Sequence, residues 1–371
     1  MEIDTAALKH NYSVFRSLIS PAVRLMAVAK SNAYGHGLLE YVKIMETFGI
    51  DWFSVDSIAE ALTLRTFGII KPILVLGYTL PSRFGEAAAH NIHLTISAHE
   101  NLRELLAISR NGPIPKIHLK IDTGMHRQGF MRSDIPSVLN LFKDNMPQLS
   151  ASLDGVYTHF AAAKNPALLE ETRQQMQIYE EVLDMFQNIG LGSIIRHAAA
   201  TGGTLLFPDA HYDMVRIGIG LYGLWPSPET KVAWETKITL KPSLSWKTII
   251  SEVKALPKGS RIGYDFSETL LRDSKVAVCP IGYWHGYPRA LSSIGKVLVN
   301  GVISKVLGKV SMDMITIDVT DVKNSAVGDI VTLLDTAVPE ASADALEALS
   351  NTTSYEIITR LNPLMKRVYI H

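Results

Sequence analysis

Apolar and polar residues alternate with two different spacings between residue 24 and about residue 220. Eight short apolar runs predict buried strands at 24–29, 52–55, 72–76, 93–96, 116–121, 153–157, 194–197 and 213–217. The longer stretches between them, such as 57–65 and 168–187, carry apolar residues three and four positions apart, which is typical of helices that pack on one face. Strand and helix alternating eight times predict a (β/α)8 TIM barrel, an α/β fold.

Polar side chains stand at or just after the C-terminal ends of these predicted strands. They are Lys30, Lys120, Asp122, His159, His197 and Arg216. Any one of them could be a surface cap. Because barrel enzymes build their active sites at the C-terminal ends of the strands, the whole set indicates a functional site.

The pattern changes after Pro226-Ser227-Pro228, where short β-rich stretches are separated by glycines and prolines. We predict strands at 243–253, 275–280, 296–299, 314–319, 329–334 and 366–370 and a short helix at 341–349. The chain is therefore expected to have a barrel domain at 1–230 and a mainly β C-terminal domain at 231–371, with the first few residues able to join the second domain.

Composition narrows the class of protein. The chain has 371 residues, is 47% hydrophobic and carries 36 basic and 36 acidic side chains, so a large core is possible and general binding to nucleic acid or to an anionic membrane is not expected. The lone Cys279 excludes an internal disulfide and a multi-cysteine metal site, and no metal is expected. We see neither a signal peptide nor an apolar run of the roughly 18 residues that a spanning helix needs, so we expect a cytoplasmic protein.

Residues 28–37 read VAKSNAYGHG, with Lys30 at the end of a buried strand. A buried amine is costly unless it is deprotonated or covalently used, and the two glycines allow the backbone to pass close to a ligand. A solvated cap is the plainer reading of the lysine alone. The whole string closely resembles the pyridoxal-phosphate lysine segment of the alanine racemase family, V-x-K-A-N-A-Y-G-H-G, with Ser31 in place of the usual alanine. The resemblance implies that Lys30 holds the cofactor as a Schiff base and that Tyr34 reaches its phosphate.

Residues 118–129, HLKIDTGMHRQG, resemble a second family motif, H-L-K-x-D-T-G-M-x-R-x-G. The resemblance implies that Arg127 hydrogen-bonds the phenolic oxygen of the cofactor and helps to orient the substrate carboxylate. In many members of the family the strand lysine, here Lys120, carries a carbamate that holds the arginine in place, so Lys120 is a candidate for carbamylation. The alternative for Lys120 is a salt bridge with Asp122 or a neighbour.

Three further strings resemble the cofactor-binding strand ends of the family. VYTHFA at 156–161 supplies His159, and RHAAATGG at 196–203 supplies His197, although each histidine could instead be structural. Ala200 replaces the usual asparagine and Thr201 the usual serine, and Thr201 is expected to bind phosphate through its hydroxyl. MVRIGIGLYG at 214–223 implies that Arg216 faces the pyridine nitrogen and that the Gly218 and Ile219 amides hold the phosphate. An arginine, with a pKa above about 12, does not readily give up its proton, so the ring would be a weaker electron sink and side reactions would be limited.

The second domain carries the other half of the resemblance. RIGYDFSET at 261–269 implies that Tyr264 is a catalytic base, although Asp265 stands where glycine is common and a tyrosine in a β domain is more often a packed hairpin residue. IGYWHGYPR at 281–289, with His285 in place of aspartate, implies that Tyr283 lines the entrance. SMDM at 311–314, with Ser311 in place of cysteine, implies that the Met312 backbone amide meets the substrate carboxylate, with Asp313 beside it. Tyr355 matches a family tyrosine near the phosphate and the access channel.

The matching strings span residues 28–368, so the resemblance covers both predicted domains. It implies a racemase of alanine that uses two bases, Lys30 on one face of the substrate and Tyr264 on the other. In this family the tyrosine comes from the partner subunit, so a homodimer with composite sites is expected, and D-alanine for cell-wall peptidoglycan is the family expectation. One alternative is a racemase or lyase acting on serine or another small amino acid, which the departures at Ala200, Asp265 and His285 keep open. Another is a non-catalytic carrier of pyridoxal phosphate, against which residues 237–371 speak.

Overall fold

The computed structural model describes residues 1–110, 112–145 and 148–371. They form two compact units. The larger unit comprises Lys9–Ala33 and Leu38–Leu240, and the smaller unit comprises Met1–Leu8, Tyr34–Gly37 and Lys241–His371. The domain boundary at 230/231 stays a prediction.

Strand β1 (Glu2–Asp4) opens the chain and belongs to the smaller unit. The larger unit contains the strands β2 (Arg24–Val28), β3 (Trp52–Val55), β4 (Ile73–Val75), β5 (His93–Ile96), β6 (Ile117–Asp122), β7 (Phe130–Met131), β8 (Leu153–Tyr157), β9 (Ile195–His197) and β10 (Met214–Ile217). The helices up to residue 240 are α1 (Thr5–Ser17), α2 (Leu38–Phe48), α3 (Ile58–Thr66), α4 (Phe84–Ala89), α5 (His99–Ser109), α6 (Ile135–Asp144), α7 (Gln148–Ser152), α8 (Leu169–Gln187), α9 (Thr201–Leu206) and α10 (Pro228–Trp234).

Eight parallel strands form a nearly closed barrel in the order β10-β2-β3-β4-β5-β6-β8-β9, and the short β7 pairs with β6. The two ends of this order meet through backbone bonds, because Asp213 N donates to Arg196 O at 3.0 Å and Arg216 N donates to Ala199 O at 2.9 Å. Every predicted barrel strand is present with each end within one residue of its predicted position. The barrel prediction is confirmed.

The barrel interior is filled by side chains. Met26, Trp52, Leu74 and Met214 form a buried cluster. The Trp52 ring in β3 also lies 5.5 Å from the His118 ring in β6. Because β4 and β5 separate these two strands in the sheet, this contact crosses the interior, so the barrel is a packed core and not a pore.

The smaller unit is mainly β. Its strands are β1 with β11 (Leu244–Ile249), β12 (Glu252–Leu256), β13 (Arg261–Ile262), β14 (Glu268–Thr269), β15 (Ser274–Cys279), β16 (Lys296–Val299), β17 (Val302–Leu307), β18 (Ile315–Asp318), β19 (Ile330–Leu334) and β20 (Val368–Ile370). The helices α11 (Ala343–Ser350) and α12 (Ser354–Thr359) lie near its end. One sheet has the order β12-β15-β18-β17-β16-β19-β11-β1-β20, and β13 pairs with β14 in a separate hairpin.

Two predictions in the smaller unit were wrong in detail. The single run predicted at 243–253 is two strands, because the backbone changes partners: Ile250 N donates to Asp329 O beside β19, whereas Ser251 N donates to Val278 O in β15. Strand β17 was not predicted. The Asn300-Gly301 pair that precedes it has φ angles of 50° and 78°, and Asn-Gly between apolar runs is a strong hairpin signal.

Candidate active site

The chain leaves β2 through an unusual backbone turn at Lys30–Tyr34. The four residues after Lys30 all have positive φ angles, from 50° to 58°. Left-handed backbone costs roughly 1–2 kcal/mol per residue for L residues, so a run of this kind persists only where neighbouring groups hold it. The turn gives Lys30 a fixed backbone position at the C-terminal end of β2.

Glu60 of helix α3 holds this turn. Its Oε1 atom accepts hydrogen bonds from Ser31 N at 2.8 Å and from Asn32 N at 3.4 Å. Its Oε2 atom accepts a hydrogen bond from Asp56 N at 2.9 Å, just after β3. The Lys30 Nζ atom lies 3.6 Å from Asp56 Oδ1, and 39% of the lysine side chain is exposed. The Lys30 amine is therefore held near Asp56 and is accessible to solvent.

Arg216 at the end of β10 is buried among groups that follow β8 and β9. Its Nη2 atom donates to the backbone oxygens of Thr158 and Ala198, both at 2.8 Å. Its Nη1 atom donates to His197 Nδ1 at 2.9 Å. Burial lowers the pKa of Arg216 to about 10, which leaves the guanidinium charged at neutral pH. This end of the barrel thus contains a fixed positive charge.

His159 and His197 both contact that guanidinium. His159 Nδ1 lies 3.3 Å from Arg216 Nη2. Burial and then Arg216 lower the pKa of His197 well below its usual value, and burial followed by Arg216 and Arg127 lowers the pKa of His159 to about 3. Because an arginine only donates, both imidazoles face it as neutral acceptors.

The Thr201 hydroxyl lies against the backbone amides of the segment after β10. The buried Thr201 Oγ1 atom accepts long hydrogen bonds from Gly218 N at 3.3 Å and from Gly220 N at 3.4 Å. A Cβ atom on Gly220 would lie 2.3 Å from Phe15 Cζ and 2.8 Å from Thr201 Cγ2. The hydroxyl and the amides flanking Ile219 are therefore gathered where helix α9 begins, an arrangement that suits an anion.

Lys120 and Arg127 line one small cavity with Asp122, Gln128 and His159. Burial, followed by the nearby Arg127, Arg216 and Lys30, lowers the pKa of Lys120 to about 8. The amine donates to Gln128 Oε1 at 3.2 Å.

The expected alternative of a Lys120–Asp122 salt bridge is not present among the described residues. Asp122 Oδ1 accepts hydrogen bonds from Gly124 N and His126 N instead.

Tyr34 and Tyr355 meet within the smaller unit. Their ring centroids are 6.1 Å apart. The segment Tyr34–Gly37 is bound by the end of the chain, because Arg367 Nε donates to Gly35 O at 3.1 Å and Tyr369 Oη donates to His36 O at 2.9 Å. The backbone that directly follows the Lys30 turn is therefore fixed as well.

Tyr264 lies in the turn of the β13–β14 hairpin, where 68% of the residue is exposed. The next residue, Asp265, has a φ of 59° and pairs with Lys309. Asp265 thus occupies a position that favours glycine, which agrees with the glycine found there in the resembling motif. Tyr264 therefore lies on the surface of the smaller unit and is not a packed core residue.

Tyr283 and Met312 are brought together by two loops of the smaller unit. Tyr283 N donates to Ser311 O and Trp284 N donates to Met312 O, both at 3.0 Å. A Cβ atom on Gly282 would lie 2.2 Å from Ser311 O, so only glycine permits this approach. Both side chains are exposed, Tyr283 to 42% and Met312 to 56%, and Asp313 is exposed beside them.

Comparison with known proteins identifies the family. A model of the alanine racemase N-terminal domain matches residues 3–226, and a model of the alanine racemase C-terminal domain matches residues 243–369. The chain belongs to the alanine racemase family. It is 36% identical to an alanine racemase of Leptospira interrogans, over 100% of this chain and 95% of that protein, and 38% identical to one of Symbiobacterium thermophilum, over 99% and 96%. The crystal structure of alanine racemase from Bacillus anthracis with bound L-Ala-P superposes with a TM-score of 0.92 at 32% identity, covering 100% of this chain and 94% of that one.

Membership of the alanine racemase family confirms the resemblance, the fold class and the expectation of an enzyme of the amino-acid racemase class. The assigned residues of the larger unit lie at the C-terminal ends of the barrel strands, as expected. No helix in the described part of the chain is long and apolar enough to cross a membrane.

Three side chains that contact the predicted site residues or hold their backbone were not assigned from the sequence. Gln128 receives the Lys120 amine, and Glu60 holds the Lys30 turn. His118 contacts His197 at 2.8 Å. His118 stands two residues before Lys120 on one strand, and this spacing places both side chains on the same face, so the period of two could have pointed to it.

Proposed function

We propose that this protein interconverts L-alanine and D-alanine with pyridoxal phosphate as cofactor. The observation that carries the proposal is the collection of an accessible lysine, a buried arginine and an anion pocket at one end of the barrel, in a member of the alanine racemase family. The cofactor, when bound, supplies a conjugated ring that stabilises negative charge on the substrate Cα.

The residues fit this cofactor. Thr201 Oγ1 and the amides of Gly218, Ile219 and Gly220 would hold a phosphate group, because they gather a hydroxyl and backbone donors where Phe15 packs against Gly220. Tyr34 and Tyr355 are proposed as the tyrosines that reach it. Lys30 would bind the cofactor covalently through its accessible amine, and Arg216 would face the ring nitrogen.

Arg216 would set the electronic character of the site. Its guanidinium is already held by two carbonyl oxygens and two imidazoles, and at a pKa of about 10 it remains a donor at neutral pH. It can therefore donate a hydrogen bond to the ring nitrogen without transferring its proton. We expect this to limit how much charge the ring withdraws and so to suppress side reactions.

Racemisation needs a proton to leave Cα on one face and return on the other, which two bases achieve without reorienting the substrate. Lys30 would hold and return the proton on one face and Tyr264 on the other. The phenol has a reference pKa of about 10, so nearby cations would favour the small phenolate fraction that this role requires.

We infer that Tyr264 acts in the site of a partner subunit and that the protein is a homodimer with two composite sites. The support is the exposure of Tyr264, Tyr283 and Met312 on a single copy of the smaller unit together with the family resemblance. Tyr283 would line the entrance, and the Met312 amide would meet the substrate carboxylate, with Asp313 beside it.

Arg127 would orient that carboxylate from the barrel side. Lys120 is proposed to carry a carbamate that holds Arg127, since a lysine with a pKa near 8 has a substantial neutral fraction able to react with carbon dioxide. We also propose the family role, supply of D-alanine for the cell wall, in the cytoplasm.

The test follows exchange of the Cα proton of L-alanine for deuterium together with loss of optical rotation. The proposal expects both in the wild-type protein with pyridoxal phosphate. It expects neither in Lys30→Ala, while Lys9→Ala, a change of an exposed lysine on helix α1, keeps full activity. Exchange on serine or another small amino acid, with none on alanine, would refute alanine as the substrate. If the protein bound pyridoxal phosphate but exchanged the Cα proton of no amino acid, it would be a non-catalytic carrier of the cofactor.

A further inference from the structure

A chain of polar groups crosses the barrel interior from Arg216 towards the N-terminal ends of the strands. Arg216 Nη1 contacts His197 Nδ1 at 2.9 Å, and His197 Nε2 contacts His118 Nδ1 at 2.8 Å. His118 Nε2 then faces Asp154 Oδ2 at 3.7 Å. His118 and Asp154 are each the second residue of their strands, β6 and β8, so the chain ends near the N-terminal ends of those strands.

The ring nitrogen that carries the proton can be assigned in both His197 and His118, because one end of the chain, Arg216, can only donate. A guanidinium only donates, so His197 Nδ1 must accept, and a neutral His197 then carries its proton on Nε2. That proton points at His118 Nδ1, which must accept in turn. A neutral His118 therefore carries its own proton on Nε2, directed at the Asp154 carboxylate. Burial lowers the pKa of both histidines, in keeping with neutral rings.

Arg216 lacks a direct acidic partner. Of the residues that the structure describes, none places a carboxylate within ion-pair distance of its guanidinium, although the residue is only 3% exposed. A buried charge without a counter-charge is costly. Asp154 is the carboxylate that His118 Nε2 faces at the end of this chain, at 3.7 Å, which is within ion-pair range but beyond hydrogen-bond range, and its side chain is 28% exposed.

The packing around the chain keeps the two rings in place. Tyr157 stacks on His197 with ring centroids 4.7 Å apart and planes 8° from parallel. Trp52 meets the His118 ring edge-on. A Cβ atom on Gly155 would lie 2.4 Å from His118 Nδ1, so the glycine makes room for this imidazole. His93 Nδ1 approaches Asp154 Oδ2 from a third strand at 3.3 Å.

We propose that Asp154 is a positioning residue that, acting through His118 and His197, fixes the orientation and compensates the charge of Arg216. The consequence for catalysis rests on the proposed function, whereas the positions of the protons do not. The proposed position of the His118 proton also argues against a metal ion bound beside Asp154. His93 Nδ1, His118 Nε2 and Asp154 Oδ2 lie close enough together to suggest a metal site, but the proton that Arg216 imposes on His118 Nε2 occupies the lone pair that a metal would need.

The first measurement is histidine ¹⁵N NMR of the wild-type protein at neutral pH. The proposal expects His118 and His197 each to be neutral and protonated on Nε2. A ring protonated on Nδ1, or a charged ring, would overturn it. So would stoichiometric binding of Zn²⁺ in the wild type that is lost in Asp154→Asn. The NMR measurement itself needs no variant and no turnover.

The second measurement compares Asp154→Asn, Asp154→Glu and the control Asp144→Asn, a change of an exposed carboxylate at the end of helix α6. We expect Asp154→Asn to shift the His118 Nε2–H resonance and to lower kcat about tenfold, as for supporting hydrogen-bond partners in other sites, with KM for alanine within about twofold. Asp154→Glu, which keeps the charge, should restore most of the loss. Wild-type kcat and wild-type histidine resonances in Asp154→Asn would overturn the proposal. If the wild type shows the expected protons but does not racemise alanine, the proton chain is supported and the proposed function fails.

Discussion

Replacing Thr201 by valine removes one hydroxyl and keeps the shape of the side chain. In the structure Thr201 Oγ1 is the acceptor for two buried amides, Gly218 N and Gly220 N. A buried donor left without a partner costs about 1–3 kcal/mol. Since both bonds are long, at 3.3 and 3.4 Å, we take the low end and expect a loss of about 2 kcal/mol in the free energy of unfolding of the cofactor-free protein.

The same hydroxyl is proposed to bind phosphate, so the variant should also bind pyridoxal phosphate more weakly. Loss of one hydrogen bond to a charged group, about 1.5–3 kcal/mol, corresponds to a rise in Kd of roughly 10- to 100-fold. The assays are urea unfolding without cofactor and a spectroscopic titration with pyridoxal phosphate. Thr201→Ser keeps the hydroxyl and serves as the matched control. Wild-type stability and wild-type affinity in Thr201→Val would refute the reasoning, because the hydroxyl would then support neither the amides nor the phosphate.

Two other predictions concern charge and assembly. In buffer free of carbon dioxide, where Lys120 is a free amine and carries no carbamate, its folded pKa of about 8 lies below the unfolded value of 10.5. The unfolded state therefore binds more protons between these two values, so the destabilisation is complete below pH 8 and should disappear as the pH rises towards 10.5. Urea unfolding of Lys120→Met and the wild type at several pH values checks this, since the advantage of the variant should shrink across the window; a constant difference would contradict it. For composite sites, Lys30→Ala and Tyr264→Phe should each be inactive alone, but refolding them together should give roughly a quarter of the wild-type activity, because half of the dimers are mixed and each has one intact site. No recovery in dimers shown to be mixed would place both bases in the same chain.

The sequence predicted the barrel well because short apolar runs, typical of strands, alternate along it with stretches that have the apolar spacing of helices. Strands 52–55, 93–96 and 153–157 coincide with the observed ones, since buried parallel strands are short apolar runs whose ends are marked by polar residues. The left-handed turn after Lys30 could not be predicted in this way. It is stabilised by Glu60, almost thirty residues away, and local preferences of Ser31 to Tyr34 do not favour it.

The residues of the candidate site also fall into those that the sequence predicted and those that it did not. Lys30, Arg127 and Arg216 were found because they stand in strings that resemble a known family. His118 stood in such a string without an assigned role, and Asp154 was not singled out. Their importance depends on a contact made across the interior of the barrel, and this is visible only when β6, β8 and β9 are placed side by side.

Strand β1 has a consequence for how the polypeptide matures. It lies between β11 and β20, pairing antiparallel with the first and parallel with the second. A ribosome therefore makes β1 about 240 residues before it makes β11 and about 365 residues before it makes β20. Contacts so distant in sequence form slowly. The smaller unit can close its sheet only after β20 has been made, and a chain begun at residue 241 would leave the inner edges of β11 and β20 unpaired and prone to aggregation.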